Sequence, residues 1–226
     1  MRARGLFVTG TDTGVGKTRV AVALIHALRA RGLRVAAMKP VSAGNAPGEL
    51  NEDVEALMQA ANVALDVRDV NPYAFAEPIA PHIAAHRAGI RIELPVITQA
   101  YSRLAAAADV VVVEGAGGWR VPLNEHEDMA DLAQALGLPI VLVVGMRLGC
   151  LNHALLTAEA IVSRRLPWAG WVGNLIDPAM AQQAANLDAL RARLPGPCLG
   201  VQRFFPAPVL AADLQQWLTL PEELVS

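Results

Sequence analysis

Gly10-Thr11-Asp12-Thr13-Gly14-Val15-Gly16-Lys17-Thr18 joins a short apolar run, Leu6–Thr9, to a stretch from Lys17 to about Arg31. In that stretch Val20, Leu24, Ala27 and Leu28 recur at helical spacing, and Gly32 sits where a helix stop belongs. A strand, a glycine-rich turn and a helix are the setting a phosphate-binding loop requires. Glycines let the backbone curl so that successive N–H groups face an anion, and the helix N-terminus adds its positive end. Lys17 then reaches the β- and γ-phosphates, and the Thr18 hydroxyl becomes a Mg²⁺ ligand. The spacing is a variant: counting four residues back from Gly16 leads to Thr11, and the nearest glycine is Gly10.

Outward from this loop the chain alternates short strands with longer helices. Val35–Met38 reads as a strand closed by Pro40, Ser42–Leu50 as a loop, and Asn51 as the cap of a helix through Ala61. Asp66–Pro95 is proline-marked and irregular, with a short helix near His82–Arg87. After a helix over Ile97–Ala108, Asp109–Glu114 (DVVVVE) is a continuous apolar run ending in a carboxylate, the pattern of a strand buried on both faces. Helix Met129–Leu136, strand Pro139–Val144, helix Leu151–Arg164, strand Gly170–Leu175 and helix Ala179–Leu194 follow, then a strand near Cys198–Val201 and a helix near Ala211–Leu218. The expectation is one α/β domain over residues 1–226 of the P-loop NTPase type, a mainly parallel sheet with helices on both faces.

Composition narrows the function classes. With 54% hydrophobic and 18% charged residues among 226, the chain has ample material for a core and is not disordered. No apolar run approaches the ~20 residues a bilayer span needs, and the N-terminus lacks a signal-peptide apolar region. Two cysteines make no disulfide framework or metal spacing, and a net charge of −2 gives no footprint for nucleic acid. These features point to a soluble cytoplasmic enzyme without a membrane or nucleic-acid partner.

One detail of the basic residues is informative. Of 19, 17 are arginine, and the two lysines are Lys17 and Lys39. A compact point charge is what a crowded phosphate site needs where a broad guanidinium does not fit. Both lysines are therefore candidate functional residues. Glu114, at the carboxyl end of its strand and followed by Gly115-Ala116-Gly117-Gly118, is a candidate metal-binding carboxylate. Asp53 in LNEDVEAL is equally consistent with a favourable charge in the first turn of its helix, and Glu52 and Glu55 compete with it. His82 and His86 lack the HExxH pattern of a zinc site and are expected at a pocket or a subunit contact. Trp119 is expected beside the substrate.

In order along the chain, FVTGTDTGVGKT, MKPVSAG, NPYAFAEPIAPH, VVVEGAGGW, VVGMRLGCLNHALLT and AGWVGN together resemble the dethiobiotin synthetases, over roughly Phe7 to Asn174. The resemblance implies an ATP- and Mg²⁺-dependent enzyme that converts CO₂ and 7,8-diaminononanoate into dethiobiotin through a carbamate and a carbamic-phosphoric anhydride. It also implies a homodimer with substrate near the subunit interface. Carried over by residue, it implies catalytic roles for Lys17 and Lys39. Nucleotide contacts would run through Thr13, Gly14, Val15, Gly16, Lys17, Thr18 and Arg19, with Gly115, Ala116 and Gly117 beside them, and Asn174 would read the adenine. Thr18, Asp53 and Glu114 become the metal ligands, which lifts Asp53 out of its ambiguity. Substrate contacts fall on Lys39, Ser42 and Ala43, and on Gly149, Cys150, Leu151 and Asn152 supplied to the partner subunit.

Two positions depart from the pattern. The family commonly has Ser or Thr where this chain has Ala43, leaving Ser42 as the neighbouring hydroxyl. The late segment beside the base usually reads Gly-x-Ile-Pro, whereas here it is Gly200-Val201-Gln202-Arg203-Phe204. ATPase switches of the Min/Par type share the variant loop but carry an extra lysine early in it, where this chain has Asp12.

Overall fold

The computed structural model describes residues 4–45, 49–204 and 217–221. In chain order the elements are β1 (Arg4–Gly10), α1 (Lys17–Arg29), β2 (Val35–Met38), β3 (Val41–Ala43), α2 (Glu52–Ala60), α3 (Val67–Val70), β4 (Tyr73–Phe75) and α4 (Pro81–Arg87). They continue as α5 (Leu94–Ala107), β5 (Val110–Glu114), α6 (Met129–Leu136), β6 (Ile140–Gly145), α7 (Cys150–Ser163), β7 (Trp168–Asn174), α8 (Gln183–Arg193) and β8 (Cys198–Gln202). Six strands form one parallel sheet in the order β2-β5-β1-β6-β7-β8, and β3 and β4 form a separate parallel pair.

The alternation of side chains along each strand explains why both faces of the sheet are covered. Leu6, Val8, Val35, Ala37, Val110, Val112, Val141 and Val143 join one apolar cluster with Val20, Leu24, Ile25 and Leu28 of α1 and Leu57 of α2. The intervening Phe7, Ala36, Met38, Val111, Val113, Leu142 and Val144 face the other way, against residues of α5, α6 and α7 such as Ile97, Leu132 and Ala154. Every residue of β5 is buried, as a two-sided strand requires. β1 leads on to β2 toward one edge and its neighbour β6 leads on to β7 toward the other, so the chain reverses direction between these two adjacent strands. Ligands bind beyond the carboxyl ends of strands at such a reversal.

The middle of the chain differs from the sequence expectation. The Ser42–Leu50 loop begins as strand β3, paired in register with β4 from Val41↔Tyr73 to Ala43↔Phe75. This pairing joins segments about thirty residues apart, so no local pattern announces it. The expected helix near Ala211–Leu218 lies outside the described residues except for its last two positions, where Leu218 bridges Gly200. Among the described residues no helix is long and apolar enough to cross a membrane.

Candidate active site

The loop after β1 is held from below. Thr11 N donates to Val143 O at 3.0 Å, tying the loop's start to β6. Val15 is buried against Gly10 and Gly145, and its carbonyl accepts the Asn174 side-chain amide at 2.8 Å. Gly16 caps α1 in the left-handed region at φ 85°, and a Cβ there would stand 2.1 Å from Asn174 Nδ2. Only glycine fits both the dihedral and the space. Lys17, the first residue of α1, donates from Nζ to the Asp12 carbonyl at 2.9 Å.

Behind the loop, four elements bring charged groups to one point. Lys39 follows β2 and Glu114 ends β5, neighbours because Met38 is in register with Val113. Lys39 Nζ donates to Glu114 Oε1 at 2.5 Å and to Asp53 Oδ2 at 2.9 Å. Thr18 Oγ1, in the first turn of α1, lies 2.7 Å from Asp53 Oδ1 and 2.9 Å from Glu114 Oε1. Asn51 sets the angle of α2: its side chain caps Asp53 N at 3.1 Å and donates to Ala43 O at 3.4 Å. Val54 and Leu57 turn into the core, which leaves Glu52 and Glu55 exposed and directs Asp53 to the cluster.

Burial and charge set the protonation of these groups. Burial lowers the Lys17 ammonium to about 8, against the pull of Glu114. Burial also disfavours charge on Lys39, but Glu114 and Asp53 outweigh it and hold this lysine above its ordinary range. Complete burial pushes the Glu114 carboxyl up in spite of Lys39. For Asp53, burial acts upward, and the Lys39 charge and the Thr18 hydroxyl overcome it to leave the group low.

The donor set suits a magnesium ion. One hydroxyl and two carboxylates converge, all hard oxygens, and Glu114 Oε2 is buried without a hydrogen-bond partner. Among the described residues no group of three or more His, Cys, Asp or Glu side chains could hold a metal alone. Magnesium with one or two protein carboxylates completes its octahedron with waters and substrate phosphates, which fits a site at a phosphate loop.

A cavity of about 670 Å³ opens over this cluster. Of the residues expected to act, Thr13, Gly14, Gly16, Lys17, Thr18, Arg19, Lys39, Ser42, Ala43, Asp53, Glu114, Ala116 and Gly117 line it. Val15 and Asn174 are buried on the underside of the loop, and Gly115 is buried against Phe7 and Met129. Gly149, Cys150, Leu151 and Asn152 lie apart from this lining, at the start of α7. Ser42 Oγ donates to Asn71 Oδ1 at 2.9 Å, while Asn71 donates to the Lys39 carbonyl at 2.6 Å, so that hydroxyl braces the segment behind Lys39. Trp119 is buried in the core away from the cavity lining, and His82 and His86 are also outside it. Val41, Pro78, Ile79, Ala80, Pro81 and Val121 form an apolar wall that the sequence does not announce; the prolines of EPIAPH mark that stretch as irregular but not its place at the cavity.

A glycine-rich loop at the carboxyl end of a central parallel strand, with a lysine at its helix start, defines a P-loop NTPase-type α/β protein. A family profile described as an AAA domain matches residues 4–212. The ATP-dependent dethiobiotin synthetase BioD of Nitrosospira multiformis is 59% identical over 198 residues, covering 88% of this chain and 87% of that one. The protein of the same name from Pseudomonas paraeruginosa is 53% identical over 198 residues, covering 86% and 87%. The chain belongs to the family of ATP-dependent dethiobiotin synthetases. Its fold is shared with a chain of the MinC:MinD cell division complex of Aquifex aeolicus, with a TM-score of 0.58, 16% identity and coverage of 90% and 83%.

Proposed function

We propose that this chain uses ATP to close the ureido ring of dethiobiotin from 7,8-diaminononanoate and CO₂, releasing ADP and phosphate, in the penultimate step of biotin biosynthesis. The observation that carries the reading is Lys39, buried in the same cavity as the loop lysine and held between two carboxylates. A phosphate loop alone needs one lysine; a second anion beside the γ-phosphate calls for another.

In the first step a neutral substrate amine attacks CO₂, forming an N–C bond, and loses an N–H proton to solvent to leave a carbamate. A carbamate oxygen then attacks the γ-phosphorus as the bond to ADP breaks. The second amine attacks the carbonyl carbon of the mixed anhydride, the C–O bond to phosphate breaks, the amine's proton leaves with the phosphate or to solvent, and the ring closes. The attacking carbamate is already anionic, so phosphoryl transfer needs charge screening and alignment rather than a general base. Two unit charges ~4 Å apart at an effective dielectric near 20 repel by about 4 kcal/mol. Lys39 offsets that repulsion at the carbamate, and Lys17 does so at the β- and γ-phosphates. Thr18, Asp53 and Glu114 would hold Mg²⁺, which when bound neutralises phosphate charge. Asn174, fixed beneath the loop, is the residue assigned to the adenine. Val41, Ile79, Ala80 and Val121 offer the apolar surface that suits the aliphatic chain of the diamine, with Ala43 and Ser42 at its head.

We read the chain as one domain acting as a cytoplasmic homodimer. Leu148, just before α7, is 95% exposed, and Leu156 and Val162 on α7 are more than half exposed, which supports a subunit contact there. In that arrangement Gly149–Asn152 receive the substrate carboxylate of the partner's cavity. An ADP-release assay with the diamine and bicarbonate omitted in turn tests the proposal. ADP release that requires both is expected. Phosphate release independent of the diamine would instead indicate a nucleotide switch.

A further inference from the structure

Asp12, which stands where switch ATPases of the Min/Par type carry their extra lysine, is a junction. Its Oδ1 accepts the Thr13 amide at 2.7 Å, and its carbonyl accepts Lys17 Nζ at 2.9 Å, so one residue holds two of the groups that meet the triphosphate. Its other carboxylate oxygen, Oδ2, accepts Arg147 Nη2 at 2.5 Å, across 135 positions of sequence. Arg147 lies between β6 and α7. Its own carbonyl accepts Cys150 N at 3.0 Å, the first residue of α7, and Met146 N beside it donates to Asn174 O at 2.7 Å.

Two physical consequences follow. A bare carboxylate beside the phosphate loop would repel an incoming triphosphate, and the guanidinium neutralises it. The pair is also a mechanical link. Arrival of phosphate oxygens at Thr13 N competes with Oδ1, and any turn of the carboxylate is passed through Oδ2 to Arg147 and so to the first turn of α7. Both side chains are about half exposed, at 43% and 47%, so the pair contributes little to stability and its value lies in placement.

We propose that Arg147 is a positioning residue acting through Asp12, and that this pair couples triphosphate binding at the loop to carboxylate binding at Gly149–Asn152. The coupling rests on the reading that Gly149–Asn152 serve the partner's cavity. Nucleotide in one subunit then tunes substrate affinity in the other, and by linkage the reverse holds with the same factor.

Calorimetric titration of the intact protein tests it, using a non-hydrolysable ATP analogue with Mg²⁺ and 7,8-diaminononanoate, each with and without the other saturating. The wild type should show the diamine affinity changing with nucleotide by about fivefold or more, the lower end for coupled sites. Arg147→Ala should bring that ratio close to one. It should also raise the KM for ATP by about fivefold with a smaller change in kcat, and Arg147→Lys should recover most of both effects. A ratio in Arg147→Ala equal to that of the wild type overturns the coupling, and a lysine variant no better than the alanine variant overturns the charge-based positioning. If the wild type binds no diamine, the functional reading fails instead; the analogue's affinity for wild type and Arg147→Ala then still decides the positioning role, equal values overturning it.

Discussion

Strands β2 and β5 carry a basic–acidic pair at each end, and the two ends differ in everything but pairing. At the amino end Arg34 Nη2 meets Asp109 Oδ1 at 2.8 Å with side chains 61% and 40% exposed. At the carboxyl end Lys39 meets Glu114 at 2.5 Å with 6% and 1% exposed. Water solvates the first pair in either state, so its formation changes little. The second must be stripped of water before it forms, and mutual attraction seldom repays more than that loss. A buried ion pair is therefore poor evidence of stabilisation and better evidence of a task. The choice of residue agrees: the open end uses the arginine common in this chain, the closed end one of its two lysines.

Substitutions at the two ends should separate them. Lys39→Ala leaves Glu114 without its buried counter-charge and should cost about 3–5 kcal/mol in denaturant unfolding. The same change should slow turnover by about 10²–10³-fold, the range for loss of one preorganised charge at a transition state. An enzyme with wild-type turnover would remove Lys39 from the chemistry. A smaller effect is expected from Asp53→Asn, which should raise the magnesium concentration giving half-maximal rate on the order of tenfold. A magnesium titration at fixed ATP reads this directly, and an unchanged midpoint would take Asp53 out of the ligand set.

The pH dependence sharpens the contrast within the buried end. Lys17 is lowered to about 8, so its charged form, the one proposed above to meet the triphosphate, drains away above that pH. kcat/KM for ATP should fall by about tenfold per pH unit beyond 8, since that ratio reports the free enzyme. The stability effect has the opposite sign. Between about 8 and the ordinary lysine value of 10.5 the unfolded chain holds the proton that the folded one has released. This group's destabilising contribution is thus fully present below about 8 and is relieved as the pH rises through that window. At the far end of the same strands, Arg34→Ala should leave both the melting temperature and the rate unchanged. A clear loss in either would erase the distinction between the two pairs.

The unequal legibility of these regions has a physical origin. Strand β1, the loop and α1 are readable because glycine placement, apolar spacing and a helix start all act within a few residues of one another. β5 is equally plain, since a run of four valines has no exposed face to alternate with. The cap at Asn51 was also local, and its side chain does accept Asp53 N. The assignment of Asp53 over Glu52 and Glu55 is different: the resemblance singles it out, and LNEDVEAL supplies only the Val54/Leu57 spacing that sets its inward face, not what that face meets. Packing of Val54 and Leu57 turns that residue inward and leaves its neighbours in solvent.

The sequence by itself determined the alternating strands and helices, which imply a parallel sheet, and the glycine-rich loop between β1 and α1, because backbone hydrogen bonding within a helix and side-chain periodicity are short-ranged. Tertiary structure alone decided that Ser42 braces Asn71, that Pro78–Pro81 wall the cavity, and that Asp12 meets Arg147. Those contacts join residues 29 to 135 positions apart, or segments from separate parts of the chain, which become neighbours only when the elements pack together.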